Sequence, residues 1–296
     1  GRIGAEPLPG GWRETGTLPK ALALLPYIRS LGCDTVHLLP VAALGRDGRK
    51  GGLGSPYAVR DPYRIEPSLA EPALGLSAEE CLAAFVAGAH RLGLRVVGEF
   101  VFRTASPDSV WAAERPAWFY WIDAALADRP AGSRDPAAYG PPILEPALLA
   151  EVVRLVEEQK RLGHLPAPGA AYRSLFKPPP ERVIEEHGRW IGCPGRLRVA
   201  TAFADWPPQD PQPPWTDAAY LRLYDHPEFN YVAYNTVRMY DSRLARPENA
   251  VRELWERIAG ILPAWQERFR IDGVMVDMGH RSEEHTSELQ SPNTIS

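Results

Sequence analysis

Three cysteines, Cys33, Cys81 and Cys193, are too few, odd in number and too far apart for a disulfide framework or a CxxC metal site. They set a reducing cytoplasm as the expected compartment. No apolar run is long enough to cross a bilayer, and no charged-then-apolar leader opens the chain, so no membrane partner is expected. An excess of one charge is also missing: the net charge is −4, with no basic stripe and no acidic block. That argues against nucleic acid as a partner and against an acidic disordered tail. No GxGxxG or Walker loop follows any strand-like run, which leaves nucleotide binding without support. The chain opens on Gly1 rather than methionine, as a processed or incomplete chain would.

What is present is a hydrophobic fraction of 45% over 296 residues, enough for a large core in one domain with an insertion or in two. Three segments repeat one pattern of helix, short link and strand. "TLPKALALLPYIRSLG" carries Leu22, Leu25, Ile28 and Leu31 at helical spacing, stops at Gly32, and leads into "TVHLLPV". "SAEECLAAFVAGAHRLG" opens with a Ser77/Glu80 capping box, stops at Gly93, and leads into "LRVVGEFVF". "RPENAVRELWERIAGILPAWQERF" reads as one helical stretch before "IDGVMVDM". Continuous apolar strands bounded by helices are buried on both faces, so the expected class is α/β with a parallel sheet.

The links from helix to strand are short, whereas the connections leaving the strands run from about 42 to 76 and from about 103 to 234. The second holds most of the 31 prolines. Long loops at the C-terminal ends of parallel strands are where such folds build their sites. Asp277, at the end of its strand, could act as nucleophile or general base, or could equally cap a helix. Tyr57 and Asp61 lie in the first long connection, where a tyrosine could stack on a ring or pack its own loop. The cluster Trp111, Trp118, Phe119, Tyr120 and Trp121 reads first as a small core for the insertion and second as faces for flat sugars. The glycine-rich "GRDGRKGGLGS", residues 45–55, reads as a mobile surface loop, with no helix opening behind it.

Four stretches, in order, resemble the α-amylase superfamily, glycoside hydrolase family 13, over essentially all of residues 12–280. "LGCDTVHLLPV…GSPYAVRDPYRIEP" is similar to the family's second strand and following loop. "LGLRVVGEFVFRTASPDSVWAAERPAWFYWI" is similar to its third strand and the "D-F-V-x-N-H-T-S-D…W-F" stretch. "HPEFNYVAYNTVRMY" resembles the "P-D-L-N-Y…N-P-x-V-R" element that closes domain B. "RIDGVMVDMGH" resembles the fourth strand, "x-D-G-F-R-x-D". The resemblance implies a partial (β/α)₈ TIM barrel, strands two to four, from residues 1–103 and 231–280. It also implies a domain-B-like insertion over 104–230. The implied activity is a retaining double displacement on the α-1,4-glucosidic bonds of an α-glucan or malto-oligosaccharide, with two carboxyl groups about 5–5.5 Å apart. Asp277 would be the nucleophile, and Tyr57, Asp61, Arg103, Asn230 and His280 would contact substrate.

The chain departs from the family pattern at named positions. Glu99, Arg103 and Thr104 stand where the family has Asp, Asn and His, and a cationic Arg103 cannot ligate calcium, so no metal or other cofactor is expected. Met275 replaces an arginine that normally supports the ionised nucleophile, a part that Arg103 would have to take. A non-catalytic glucan-binding or scaffold member is the alternative these changes raise. "SPDSVW" and "VDMGH" are closer to the maltosyltransferase-type branch, in which the acceptor can be phosphate or a glucan, and hydrolysis and transfer both stay open. "RSEEHTSELQSPNTIS", residues 281–296, matches the reading-frame translation of a sequencing adapter and is set aside as non-native. Residues 1–280 then read as a piece of a longer enzyme, lacking barrel strand one and strands five to eight. Such a piece would aggregate or fold poorly and would be inactive by itself.

Overall fold

The computed structural model describes residues 10–11, 15–49, 54–127, 154, 176–201, 217–225 and 247–277. Its organising element is a parallel sheet of three strands, β1 (Thr35–Leu38), β4 (Arg95–Phe100) and β12 (Gly273–Val276), with β4 in the middle. The register sets His37 beside Val97, Leu38 and Val274 beside Gly98, and Met275 beside Glu99. The expected α/β class and the three expected strands are therefore observed. "TVHLLPV" is shorter as a strand than as a motif, because Pro40 has no N–H to extend the ladder. The chain re-enters an antiparallel pair, β2 (Ala42–Leu44) with β3 (Val59–Ile65), inside the first long connection.

Helix α1 (Leu18–Ser30) and helix α2 (Ala78–Arg91) supply the crossovers. The capping box at the start of α2 is formed as expected: Ser77 Oγ accepts from the Glu80 N–H, and the Glu80 carboxylate accepts from the Ser77 N–H. Gly32 and Gly93, just past the two helices, have φ of +86° and +70°, which glycine adopts at little cost. Helix α2 packs on β4, and Val96 and Phe100 are buried on that face.

The third helical stretch differs from the sequence expectation. It divides into α5 (Arg252–Ala259) and α6 (Ile261–Phe269), after two short helices in the insertion, α3 (Val110–Glu114) and α4 (Ala124–Ala127). Pro263 cannot donate to the Ala259 carbonyl, so the ladder loses a bond at that point. Gly260 at the junction packs where any Cβ would come within 2.8 Å of Tyr63 Oη. Tyr63 Oη in turn donates to the Arg257 carbonyl at 2.6 Å, and Trp265 Nε1 donates to the Pro62 carbonyl at 2.8 Å, fastening α5 and α6 to β3. Trp265 also meets Phe100 edge-on, with ring centroids 5.0 Å apart.

The second connection carries its own antiparallel sheet. Strands β6 (Trp121–Asp123), β7 (Phe176–Lys177), β8 (Arg182–Glu186), β9 (Arg189–Cys193) and β10 (Leu197–Val199) lie in the order β7-β6-β10-β9-β8. A two-stranded piece, β5 (Thr104–Ala105) with β11 (Ala219–Tyr220), stands at its root. The aromatic cluster is buried here, with Trp121 wholly covered and Trp111 edge-on to Trp118 at 5.6 Å. Its members are core residues rather than exposed faces, but the core is continuous with that of the parallel sheet and its helices rather than separate to the insertion. Among the described residues no helix is long and apolar enough to cross a membrane.

The parallel sheet has β1 and β12 at its two edges among the described residues. Leu24, Tyr27 and Leu31, at i, i+3 and i+7 along α1, are 56–63% exposed. Open edges and an apolar stripe favour association. We predict concentration-dependent self-association in sedimentation velocity, reduced by Leu24→Lys together with Leu31→Lys. A parent chain that stays monomeric at every concentration would contradict it.

Candidate active site

Parallel pairing brings the C-terminal ends of β1, β4 and β12 to one edge, and three functional groups meet there with Tyr57 from the loop before β3. Glu99, one residue before the end of β4, is buried. Its Oε1 accepts from Tyr57 Oη at 3.2 Å, and its Oε2 lies 3.2 Å from His37 Nε2 of β1. Asp277 follows β12, and its backbone N–H donates to the Phe100 carbonyl at 2.9 Å, which extends the ladder to the edge. Burial first, then the charge and hydrogen bond of Glu99, and then the charge of Asp277 push the Tyr57 phenol above its ordinary value. Tyr57 therefore stays a protonated donor between two carboxylates. Thr104 holds the same loop by donating to the Tyr57 carbonyl at 2.8 Å.

The remaining expected residues are distributed as follows. Asp61 lies within β3 and accepts from the Tyr63 N–H at 2.9 Å, a local turn contact. The Arg103 guanidinium lies over the Tyr220 ring, 5.3 Å from its centroid, and the Arg103 carbonyl accepts from the Leu221 N–H. Met275 is in register with Glu99 and shares its face of the sheet, with 44% of its surface exposed. Asn230 and His280 lie outside the described residues. Among the described residues no group of three or more His, Cys, Asp or Glu side chains could hold a metal ion.

Sequence reasoning missed His37, whose signal was a lone histidine in an otherwise apolar strand. It also missed the anchoring of residues 45–55. The described ends of that segment are packed rather than free on the surface, which corrects the mobile-loop expectation. A Cβ on Gly45 would come within 2.1 Å of Ser106 Cβ, so only glycine fits. Asp47 is buried against Arg198 of β10, with Arg189 Nε 3.6 Å away. The Ser55 N–H donates to buried Asp217 at 3.0 Å. These contacts fasten the loop that carries Tyr57 to the inserted sheet.

Burial pushes the Asp47 carboxyl above its ordinary value, against the opposing pull of Arg198 and Arg189. A folded value above the unfolded one makes the native state hold its proton longer, so this group's contribution to stability declines as pH rises between the two. Arg198→Met, which leaves Asp47 without its nearest cation, should cost about 3–5 kcal/mol in urea unfolding at neutral pH. Part of that loss should return as pH falls through the range above the ordinary aspartate value. A loss independent of pH would show that the pair is not what holds the loop.

No family model matches the chain. It is 34% identical over 116 residues to an α-1,4-glucan:maltose-1-phosphate maltosyltransferase of Cereibacter sphaeroides, a match covering 36% of this chain and 19% of that protein. The enzyme of the same name from Salinibacter ruber is 36% identical over 119 residues, covering 36% and 18%. The matched region is thus about a fifth of the length of these curated relatives. Among solved structures, an α-amylase from Geobacillus thermoleovorans complexed with acarbose is 14% identical, covering 99% of this chain and 42% of that one, with a TM-score of 0.43. The maltogenic α-amylase AmyB from Thermotoga neapolitana is 17% identical, covering 95% and 42%, with a TM-score of 0.41. The resemblance to the maltosyltransferase-type branch read from the motifs is borne out by the curated relatives.

Proposed function

We propose that this chain is part of a cytoplasmic enzyme of the α-amylase superfamily that acts on α-1,4-glucosidic bonds with retention. The observation that carries the reading is the convergence of Tyr57, Glu99 and Asp277 at one C-terminal sheet edge, from three segments that separately resemble the family. In this reading β1, β4 and β12 are strands two to four of a (β/α)₈ barrel, and residues 104–230 are its domain B. The five-stranded inserted sheet and the edges of the parallel sheet support that division. The curated relatives support transfer, to phosphate or to a glucan, over hydrolysis.

Asp277 attacks the anomeric carbon, a glycosyl ester forms on its carboxylate, and the leaving oxygen takes a proton from a carboxylic acid on a later strand. The acceptor then attacks from the face the leaving group vacated, opposite the ester, gives its proton back to that carboxylate, and frees Asp277 with the sugar's configuration retained. Tyr57 supplies a ring face under the sugar at the cleavage point. Asn230, Asp61, Arg103 and His280 contact the rest of the α-glucan. No cofactor enters the proposal.

The test is a fluorinated maltosyl donor, which slows breakdown of the ester so that it can be trapped. In the longer protein that continues this chain, intact-mass and peptide analysis should show one adduct, on Asp277, and none after Asp277→Asn. An adduct on a different carboxylate would remove the nucleophile assignment. The chain by itself should take up no label. A second reading, a non-catalytic glucan-binding member, is favoured by Met275 in register with Glu99 in place of a cation. It requires glucan binding without any adduct in the longer protein.

A further inference from the structure

We infer that Glu99 is a positioning residue of this edge: one buried carboxylate on the central strand fastens Tyr57 from the loop and His37 from the neighbouring strand. It thereby sets the faces these two groups turn toward a sugar beside Asp277. The inference rests on the proposed glucan site for the sugar, and on the sheet geometry for the anchoring.

The two oxygens of Glu99 are divided between two partners, each at 3.2 Å: Oε1 accepts a hydrogen bond from Tyr57 Oη, and Oε2 lies against His37 Nε2. The partners come from different segments. His37 rides on the edge strand β1, whereas Tyr57 sits in the loop that Asp47, Ser55 and Thr104 tie down from other directions. Glu99 is the only side chain among these that bridges the sheet to the loop at the level of Asp277. Its length matters. A carboxylate one methylene shorter would withdraw by about one carbon–carbon bond, roughly 1.5 Å, and contacts already at 3.2 Å would pass out of hydrogen-bond range for at least one partner. An amide keeps the length but offers one acceptor oxygen to two partners and carries no charge.

The groups facing Tyr57 Oη are Glu99 from β4 and, through its charge, Asp277 from the end of β12. The phenol is therefore a reporter for the arrangement that needs no catalytic turnover. The experiment is a phenolate absorbance titration of the full chain, of Glu99→Gln and of Glu99→Asp. Each is compared with the same chain also carrying Tyr57→Phe, so that the difference isolates this one tyrosine. Far-ultraviolet circular dichroism follows the fold over the same pH range.

The Tyr57 titration should move to lower pH in both variants, further in Glu99→Gln, which removes the charge that disfavours the phenolate, than in Glu99→Asp, which keeps the charge and loses the hydrogen bond. If Glu99→Gln loses its helical dichroism, Glu99→Asp decides alone. A Tyr57 titration unmoved in every folded variant would overturn the inference. Maltotetraose, added to the longer protein that continues this chain and to its Glu99→Gln form, is the second probe. A shift of the parent Tyr57 curve on its addition supports the sugar-facing role. A parent curve that ignores maltotetraose, with Glu99→Gln still shifted, would overturn the glucan site while leaving the anchoring by Glu99 intact.

Discussion

The structure depends on the parallel pairing of β4 with strands on both sides. Parallel neighbours cannot be joined by a tight turn, so each join must travel back along a helix, and every long loop is left at the same end of the sheet. The bottom of the sheet is clamped to hold that pairing. Asp272 accepts from the Val96 N–H at 2.7 Å and from His90 at 2.8 Å, while its own N–H donates to the Val96 carbonyl. Arg95 N–H donates to the Asp34 carbonyl on the other side. With the lower ends fixed in register, His37, Glu99 and Asp277 arrive together at the upper edge, where Glu99 meets His37 directly.

Around that edge two kinds of force are divided. The helix face of the sheet is held by apolar packing: Val96, Phe100, Phe85, Leu82 and Trp265 are all buried. The opposite face and the loops are held by charge and hydrogen bonding, through Glu99, Asp47 and Asp217. Buried carboxylates require partners, and each of these finds one on a segment distant in sequence. The polar side of the molecule is therefore the specific side, where the identity of each partner fixes which loop sits where.

The division explains what could be read in the sequence. Helices and strands were legible because their signals are local. Ser77 and Glu80 sit three residues apart, Gly32 and Gly93 end their helices, and β-branched runs mark the strands. The split at Gly260 had a local signal in Pro263, but the contact that requires glycine at the junction comes from Tyr63, nearly two hundred residues away, and was not legible. Asp277 could be placed at a strand end from its motif, and Tyr57 in the facing loop. The part played by His37 could not be read, since the histidine gains meaning only when Glu99 comes alongside it. The glycine-rich segment was misread for a related reason: Gly45 and Asp47 look like surface residues until Ser106 and Arg198 close over them.

The contacts that hold the sheet and its upper loops together span long stretches of chain. Asp47 and Arg198 are 151 residues apart, Ser55 and Asp217 are 162, and Val96 and Asp272 are 176. During synthesis the first two helix–strand units leave the ribosome well before any of these partners exists. Closing such large loops costs entropy before the contacts repay it, which makes them late steps in folding. For that interval β4 has only β1 beside it, and the side where β12 will dock stays open. A nascent chain in this state is a natural client for holding chaperones. The same pairing that gathers the site at one edge therefore also makes its assembly the last event in folding.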